Sequence, residues 1–472
     1  MQFDSLTFVV FFAAILIAYN YITSWQAKKN LLLISSYLFY SAWNPFFLPL
    51  LIFSSTIDWW LAKKMSKSEN RKRKLYLFLI VFINLSILFY FKYINFFFDA
   101  LNDILTGLGF DFVKYKFSII LPLGISFYTF HSLSYCIDIY RRRFEPTQSW
   151  RDYSLYVAFF PQLVAGPIVR WTQMREQIEI PRHSSVEGLG VGLTLLLLGL
   201  FEKVVLADGV FAPVANQIFA EEHVSSIHAW VGTAAFTGQI FCDFAGYSTC
   251  AIGAALCLGF RLPTNFRNPY SSVGFSDFWQ RWHISLSTWL RDYLYIPLGG
   301  NKKGTLFTYR NLFLTMLIGG LWHGAAWTFI IWGGLHGVYL IAERLMKKTT
   351  QYLYFIPSFL IVTVSWFFTL LAVMYAWIWF RAESTMQAIT FTLKLIDFNT
   401  AVAGFALISL QYKISLFLFF TVVLIQVLFR NIAFEMLITK LNFISLFFII
   451  SFLMVFIALT PGGSNAFIYF QF

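Results

Sequence analysis

The sequence has little charge. Only 12% of its 472 residues are Asp, Glu, Lys or Arg, whereas soluble domains average about 25%. Hydrophobic residues make up 58% of the chain, and its mean hydropathy is +0.66. So little charge is not compatible with a surface that faces water on all sides, and a soluble globular protein is excluded. Because the apolar segments are long and lipid offers no partner to backbone polar groups, the composition predicts an all-α polytopic membrane protein.

Cysteines and metal-binding motifs are also scarce. The four cysteines lie in apolar stretches without the spacing of metal ligands: Cys136, Cys242, Cys250 and Cys257. The histidines lack HxxxH and HExxH spacing, so no zinc site is predicted. The chain has no GxSxG motif of a serine nucleophile, and the glycines at 188–192 do not complete a dinucleotide-binding loop. We therefore expect no permanently bound metal or cofactor.

Internal repeats and linkers are missing as well. No self-similarity of 20–50 residues is apparent, and no stretch of linker composition separates soluble domains. A single membrane domain over residues 1–472 is predicted, with its core near 117–345. The missing repeat also weighs against a small-solute transporter, since many transporter folds consist of repeats. The net charge of +12 does not indicate nucleic acid, because the basic residues lie in short loops between apolar segments.

The long apolar segments predict the topology. A helix needs about 20 apolar residues to span a membrane, and such segments lie near 7–24, 75–98, 117–139, 189–207, 228–258, 311–345, 353–380, 402–429 and 443–461. The stretch 31–62 is predicted to form a hairpin of two spans, broken at Asn44-Pro45. The segments 228–258 and 311–345 are long enough for a break as well, and the total is about 10 to 12 spans. Residues 153–168 are apolar but too short to span, which predicts a re-entrant segment.

The basic loops predict the orientation. Residues 63–74 are dominated by Lys and Arg, and Arg141-Arg142-Arg143 follow two spans later. Both loops are therefore predicted to be cytoplasmic, as is Lys28-Lys29, which places the N-terminus outside. The first apolar run, at 7–22, has no basic region before it and no small-residue cleavage pattern after it. We interpret it as the first span rather than as a cleaved signal peptide.

The most polar part of this hydrophobic chain is 261–310. At helical spacing one apolar stripe contains Phe278, Trp282, Leu286, Trp289 and Tyr293. A polar stripe contains Asp277, Arg281, Thr288 and Asp292, and His283 shares a third line with Gln280, Ser287 and Arg291. The pattern predicts an amphipathic helix that lies at the membrane surface or covers a funnel, and that ends at 296–300, Ile-Pro-Leu-Gly-Gly.

Two Trp-His pairs are the main candidates for chemistry. His323 follows Trp322 in a segment flanked by glycine and alanine, and His283 follows Trp282. Nothing in hydrocarbon satisfies an imidazole cheaply, so an intramembrane histidine indicates proton or acyl transfer. The alternative for His323 is a structural histidine bonded to a neighbouring helix, and the small residues around it suit either a cavity or close helix packing. For His283 a solvated position is equally compatible with the sequence.

Two further intramembrane histidines receive less weight. His336 follows His323 by 13 residues and shares its helix or lies on the next one. His131 has hydroxyl neighbours that can satisfy it, which favours a structural role. His183, His223 and His228 fall in predicted loops and are interpreted as surface residues.

Several long motifs resemble those of one enzyme family. They are residues 277–300, Gly320-Leu321-Trp322-His323-Gly324, residues 159–168 and residues 243–248. Together they resemble the membrane-bound O-acyltransferase (MBOAT) family, in particular its bacterial branch of alginate O-acetylation membrane subunits. The resemblance covers nearly the whole chain, without departure at either histidine. It implies a ring of tilted helices around a central funnel or tunnel with re-entrant segments, in the cytoplasmic (inner) membrane of a bacterium.

The resemblance also implies roles for individual residues. His323 matches the principal catalytic histidine of the family and His283 its second conserved polar position. We expect His323 to act as general base or transient acyl carrier, and His283 to orient the donor or share the proton. Arg281 and Arg291 are expected to hold donor phosphates, with Asp277 and Asp292 as partners, although a salt-bridged helix surface explains these charges equally well. Substrate contacts are further expected from Asp277 and from three tryptophans: Trp282, Trp322 and Trp327.

The implied activity is acetyl transfer across the membrane. Acetyl-CoA is the expected cytoplasmic donor, and the acceptor is a surface polysaccharide or exopolysaccharide such as alginate. No polysaccharide-binding domain is visible in the sequence, so a periplasmic or extracellular serine transferase of the SGNH type is expected to finish the reaction. Two alternatives stay open: D-alanyl transfer to teichoic acid from a carrier-protein thioester, and small-solute transport.

Overall fold

All regular elements in the described part of the chain are helical. The structure, a computed structural model, describes residues 1–110, 116–350, 357–397, 408–432, 437–438, 441–460 and 467. The fold contains two compact units. The first comprises residues 1–192 and 251–262, and the second comprises residues 193–250 and 263–472. Both Trp-His pairs belong to the second unit.

The first unit is built mainly from the N-terminal helices. These are α1 (Leu6–Tyr21), α2 (Trp25–Ser41), α3 (Leu48–Ser66), α4 (Asn70–Leu88), α5 (Ile94–Gly107), α6 (Ile125–Tyr140), α7 (Trp150–Ala158), α8 (Phe160–Leu163) and α9 (Trp171–Glu179). A π-helical turn, Phe89–Tyr93, joins α4 to α5. The predicted re-entrant segment forms the short helices α7 and α8, whose residues between Asp152 and Leu163 are all buried. Its depth in a membrane stays a prediction.

The second unit contains the C-terminal helices. Two helices, α10 (Val186–Leu200) and α12 (Ser226–Cys257), contribute residues to both units. The others are α11 (Ala212–Phe219), α13 (Phe275–Trp279), α14 (Ile284–Leu290), α15 (Thr305–His323), α16 (Trp327–Thr350), α17 (Ser358–Arg381), α18 (Thr385–Leu395), α19 (Leu410–Leu428) and α20 (Phe443–Leu459). Two π-helical segments, Phe201–Phe211 and Arg291–Tyr295, precede α11 and follow α14.

The helices confirm a multi-pass membrane protein. Six helical stretches among the described residues are long and apolar enough to cross a membrane: Pro45–Ser66, Asn70–Gly107, Val186–Phe219, Ser226–Cys257, Ser358–Arg381 and Leu410–Leu428. The shorter helices α1 and α20 are apolar as well. Fewer helices meet this criterion than the 10 to 12 predicted spans, because predicted segments such as 117–139 and 311–345 form shorter or more polar helices.

Two of the three predicted breaks are present. In 31–62, α2 ends at Ser41 and α3 begins at Leu48, and between them the Asn44 side chain accepts a hydrogen bond from the N–H of Phe46. In 311–345, α15 ends at His323 and α16 begins at Trp327. The expected break in 228–258 is wrong, since α12 runs without interruption for 32 residues.

Glycine lets α15 and α16 touch backbone to backbone. A Cβ atom on Gly320 would overlap the carbonyl oxygen of Phe329, and one on Gly333 would overlap that of Met316. A Cβ on Gly324 would collide with the Phe329 ring. The small residues around His323 therefore serve close helix packing, one of the two alternatives that the sequence left open. This packing holds the end of α15 against the first turns of α16.

Candidate active site

His323 lies at the end of α15 in an aromatic environment. Its side chain is buried, with 3% of the residue exposed. Three rings surround the imidazole, with centroids 4.9 Å away for Trp322, 5.0 Å for Trp332 and 5.5 Å for Phe380. These rings come from α15, α16 and α17. Charge that develops in such a buried aromatic site interacts more strongly with fixed dipoles than it would in water.

His283 marks a break in the predicted amphipathic helix. The expectation of one continuous helix is wrong, because α13 ends at Trp279 and α14 begins at Ile284. His283 lies between them with φ of +43°, in the left-handed region. The cause is backbone pairing with an upstream segment that has no regular secondary structure. Arg267 N–H donates to Arg281 O and Ile284 N–H donates to Asn265 O, both at 2.9 Å. The helix cannot continue through residues whose backbone groups bond elsewhere.

The apolar stripe of this segment is nevertheless buried. Its five members are 0–7% exposed: Phe278, Trp282, Leu286, Trp289 and Tyr293. His283 itself is fully buried, so the solvated alternative for this histidine is wrong. Burial lowers the pKa of His283 to about 3, and the imidazole is therefore neutral at physiological pH.

Asn265 fixes the tautomer of His283. The Oδ1 atom of Asn265 lies 3.1 Å from His283 Nδ1, and it also accepts hydrogen bonds from the backbone N–H and the hydroxyl of Ser285. The Nδ2 atom of Asn265 donates to Ser248 Oγ at 3.1 Å. Because the N–H of Ser285 requires an acceptor, the amide oxygen faces His283, whose Nδ1 must then carry the proton. His283 Nε2 is the acceptor nitrogen of the ring.

Aromatic rings bring the two histidines into one site. Trp322 contacts both imidazoles, with centroid distances of 4.9 Å to His323 and 6.3 Å to His283. The Phe244 ring of α12 meets His283 edge to face at 4.7 Å. Two buried imidazoles, one of them with a fixed tautomer, therefore contact the same indole ring. Imidazole is the side chain that most often accepts and returns a proton in catalysis.

The sequence did not assign several of these neighbours a role. Asn265 belonged to the polar stretch, but nothing in its local pattern indicated a bond to His283. Trp332, Trp377 and Phe380 lie on α16 and α17, and helical periodicity does not tell which apolar residues of distant helices meet. The local signals for this region were the Trp-His pairs and the family motifs around them, and none of these contains Asn265, Trp332, Trp377 or Phe380.

A buried ion pair supports α12 behind Phe244. The Nζ atom of Lys203 lies 2.6 Å from Asp243 Oδ1 and 2.9 Å from Asp208 Oδ1. All three side chains are 8% exposed or less. Lys203 and Asp208 belong to the π-helical segment Phe201–Phe211, and Asp243 directly precedes Phe244. The ion pair therefore ties α12 to this segment one residue away from a ring that contacts His283.

The predicted phosphate ligand Arg281 is engaged inside the protein. Its guanidinium donates to Asp277, to the carbonyl oxygens of Arg267 and Arg430, and to the Asn431 side chain. Only 6% of the Arg281 side chain is exposed. These contacts resemble the salt-bridged alternative, and a role in phosphate binding stays a prediction.

Asp277 is the centre of this ion-pair group. Its carboxylate accepts from Arg281 Nε at 2.8 Å, from Arg430 Nη2 at 2.8 Å and from the Val273 N–H at 3.0 Å. Burial alone would raise the pKa of Asp277, but the hydrogen bonds from Val273, Arg430 and Arg281 outweigh burial and hold the pKa below its ordinary value. The carboxylate is therefore ionised at neutral pH, and its position suits a structural role.

The other predicted substrate contacts differ in exposure. The Arg291 side chain is 60% exposed and pairs with Asp292 at 2.7 Å. Trp327 is 54% exposed at the start of α16, whereas Trp282 is fully buried against Trp377, 4.8 Å away. Trp322, the remaining predicted substrate contact, lies against both imidazoles. In the part of the chain that the structure describes, no three His, Cys, Asp or Glu side chains form a group that could hold a metal ion.

Comparison with known proteins identifies a family model and relatives that match the part of the chain containing this site. Residues 152–378 match the family model MBOAT, membrane-bound O-acyltransferase family, a range that contains both histidines and Asn265. A probable alginate O-acetylase of Pseudomonas putida is 44% identical over 387 residues, which cover 81% of this chain and 78% of the relative. A peptidoglycan O-acetyltransferase of Helicobacter pylori is 37% identical over 419 residues, or 83% of this chain and 77% of the relative.

A more distantly similar relative is named for the transfer of a different acyl group, D-alanyl. A teichoic acid D-alanyltransferase of Streptococcus thermophilus is 30% identical over 246 residues. The match covers 48% of this chain and 58% of that relative. The similarity to the two O-acetyl-transferring relatives thus extends over much more of the chain.

Proposed function

The chain belongs to the membrane-bound O-acyltransferase family, and we propose that it transfers an acetyl group across the membrane. In this proposal acetyl-CoA on the cytoplasmic side is the donor, and the acetyl group is used for O-acetylation of a surface polysaccharide or exopolysaccharide. The observation that carries the proposal is the pair of buried imidazoles, His323 and His283, around Trp322. The extended similarity to relatives named for O-acetyl transfer supports acetyl as the acyl group.

In the proposed reaction His323 handles the proton. A hydroxyl oxygen attacks the thioester carbonyl carbon while His323 takes the hydroxyl proton, and the carbonyl π pair moves onto oxygen. The pair returns as the C–S bond breaks, and the proton passes from His323 to the departing sulfur. If His323 instead carries the acetyl group, one ring nitrogen attacks the carbonyl carbon, the C–S bond breaks, and the other ring nitrogen gives its proton to the departing sulfur. The hydroxyl then attacks the acetyl carbon, the C–N bond breaks, and the hydroxyl proton returns to the imidazole. Both routes need a neutral imidazole in a water-poor site.

We expect replacement of Asn265 by Leu to lower acetyl transfer about 10-fold or more, by analogy with the support of catalytic histidines by their hydrogen-bond partners. The substitution removes the acceptor that fixes the proton on His283 Nδ1. Acetyl transfer in isolated membranes, normalised to protein level, is the measurement. Ser248→Ala is the matched control, since it removes only the partner of the amide nitrogen. Equal losses in both variants would assign Asn265 a purely structural role.

A partner is proposed to complete the transfer. In this proposal the first acceptor of the acetyl group is a hydroxyl of a periplasmic or extracellular serine transferase of the SGNH type. That transferase then acetylates the polysaccharide. The proposal places the protein in the cytoplasmic (inner) membrane with its N-terminus outside, because the basic loops 63–74 and 141–143 are then cytoplasmic.

Ester analysis of surface glycans tests the proposed function. A deletion strain is expected to lose ester-linked acetate from one glycan fraction, and the wild-type gene is expected to restore it. Separate assays of exopolysaccharide, peptidoglycan and teichoic acid identify the acceptor. Loss of D-alanyl ester with acetate unchanged would favour the D-alanyltransferase alternative, which the more distant relative represents. Unchanged levels of both esters would reject the acyl-transfer proposal.

A further inference from the structure

His336 is a buried polar side chain for which the proposed proton route has no use. It lies on α16, one helical turn after Trp332, and it is fully buried. Among the described residues none forms a hydrogen bond with either of its ring nitrogens. A buried polar group without a partner is costly, and a Phe at this position would avoid that cost. An imidazole at this position therefore calls for a ligand or a functional explanation.

Rings surround His336 on several sides. The centroids of Trp332 and Trp279 lie 4.8 and 5.1 Å from the imidazole, and that of Trp377 lies 6.5 Å away. Phe278 stacks on it at 5.9 Å. Trp332 also meets the His323 ring at 5.0 Å. One indole thus separates His336 from the proposed catalytic imidazole.

The tryptophans of this shell share a feature with His336. Within the described residues, the indole N–H groups of Trp279, Trp332 and Trp377 have no hydrogen-bond acceptor, although these residues are 7% exposed or less. Indole nitrogen only donates, and a neutral imidazole donates through one nitrogen. Trp279, Trp332, His336 and Trp377, here named the donor cluster, therefore offer more donors than acceptors. The chemistry that matches such a cluster is an oxygen acceptor without protons.

We propose that the donor cluster binds the carbonyl oxygen of the acyl group and stabilises the negative charge that this oxygen gains during transfer at His323. This inference rests on the proposed function, because the acyl group must be held beside His323. When the hydroxyl attacks, the carbonyl π pair moves onto oxygen, and preorganised N–H donors stabilise that charge in a dry site. Trp332 is the member nearest to His323, and His336 and Trp377 adjoin it. The proton still travels from the hydroxyl to His323 and then to sulfur.

Two substitutions remove donors while the ring packing is kept. His336→Phe and Trp332→Phe each eliminate N–H groups of the donor cluster and retain an aromatic ring. In permeabilised cells that retain the acceptor, kcat (the maximal rate of CoA release from acetyl-CoA per amount of enzyme, less the rate in a deletion strain) is expected to fall about 10-fold or more in each variant, with KM for acetyl-CoA changed less than about 3-fold. His336→Gln, which keeps a donor, is expected to recover part of the loss.

Trp379→Phe is the matched control. Trp379 is another buried indole of α17 whose N–H has no acceptor among the described residues. Within that part of the chain its ring contacts neither His323 nor His336. Its kcat is expected to stay within about 2-fold of wild type, since its N–H group is not part of the donor cluster. Melting temperature is measured for every variant. If His336→Phe does not fold, Trp332→Phe decides the question.

The outcomes separate this inference from the proposed function. Wild-type kcat in both His336→Phe and Trp332→Phe would overturn the inference and leave ring packing as the explanation for these side chains. An increase in KM alone would also overturn it, because the charge on oxygen develops only in the transition state. If wild-type cells that contain the acceptor released no more CoA from acetyl-CoA than the deletion strain, the proposed function would fail instead.

Discussion

Replacement of His323 by Gln is expected to reduce acetyl transfer about 100-fold or more, which is the usual contribution of a positioned general base. Gln fills much of the same volume and can form hydrogen bonds, but it cannot take up the hydroxyl proton or carry an acyl group. The protein should remain folded, because the rings of Trp322, Trp332 and Phe380 still pack around the side chain. Ester-linked acetate on surface glycans and CoA release in isolated membranes are the two measurements.

His228→Gln is the matched control for this prediction. His228 lies at the start of α12, where its Nδ1 atom is 2.9 Å from Glu221 and its side chain is 31% exposed. Its replacement should leave both measurements near the wild-type level. A His323→Gln protein with full activity would rule out the proposed role, and transport or scaffolding would then become the leading functions.

The two proposed routes at His323 give different intermediates. If the imidazole carries the acetyl group, wild-type protein incubated with radiolabelled acetyl-CoA and no acceptor should retain label after rapid quenching, and His323→Gln should retain none. A general base leaves no label on either protein. This experiment distinguishes the routes without altering the prediction for overall activity.

Lys203→Met is expected to destabilise the protein by about 3–5 kcal/mol, which is the usual cost of removing one partner of a buried ion pair. Asp208 and Asp243 both bond to the Lys203 ammonium, and all three side chains are almost fully buried. Met has a similar length but cannot neutralise the carboxylates. The measurement is the thermal unfolding midpoint of the detergent-solubilised protein, together with its amount in the membrane.

A neutral triple variant separates charge from shape. Lys203→Met combined with Asp208→Asn and Asp243→Asn removes all three charges, and it should recover most of the stability, because buried ion pairs are often replaceable by neutral groups. Lys302→Met, at an exposed lysine, is the control and should have little effect. If Lys203→Met were as stable as wild type, the ion pair would not be a structural element of α12.

The sequence was sufficient to predict the helical architecture, because a chain in lipid must satisfy its backbone hydrogen bonds within helices. Apolar segments about 20 residues long predicted helices, and α10, α12, α17 and α19 occupy much of the predicted ranges. Asn44-Pro45 predicted a break through a local backbone constraint, and the structure confirms it. The family motifs at 277–300 and around His323 predicted the enzyme class. The family model and the relatives that match most of the chain confirm it.

Local periodicity failed where distant backbone groups compete with the helix. The stripe from Phe278 to Tyr293 is buried as predicted, but its helix is interrupted at His283. The interruption depends on bonds to Asn265 and Arg267, whose approach no 3.6-residue pattern contains. Because the contacts that bury His283 come from residues outside its own helical pattern, the sequence was equally compatible with a solvated position for this histidine.

The sequence by itself determined that this chain is a helical membrane acyltransferase and that the two Trp-His pairs are its candidate chemistry. Those conclusions follow from composition, segment length and motifs, all of which are local along the chain. Only the tertiary structure decided that Asn265 sets the tautomer of His283 and that Trp332 lies between His323 and His336. The contacts of Trp332 arise where glycine lets α15 and α16 touch backbone to backbone. The bond of Asn265 arises from backbone pairing on either side of His283, and neither arrangement leaves a periodic trace in the sequence.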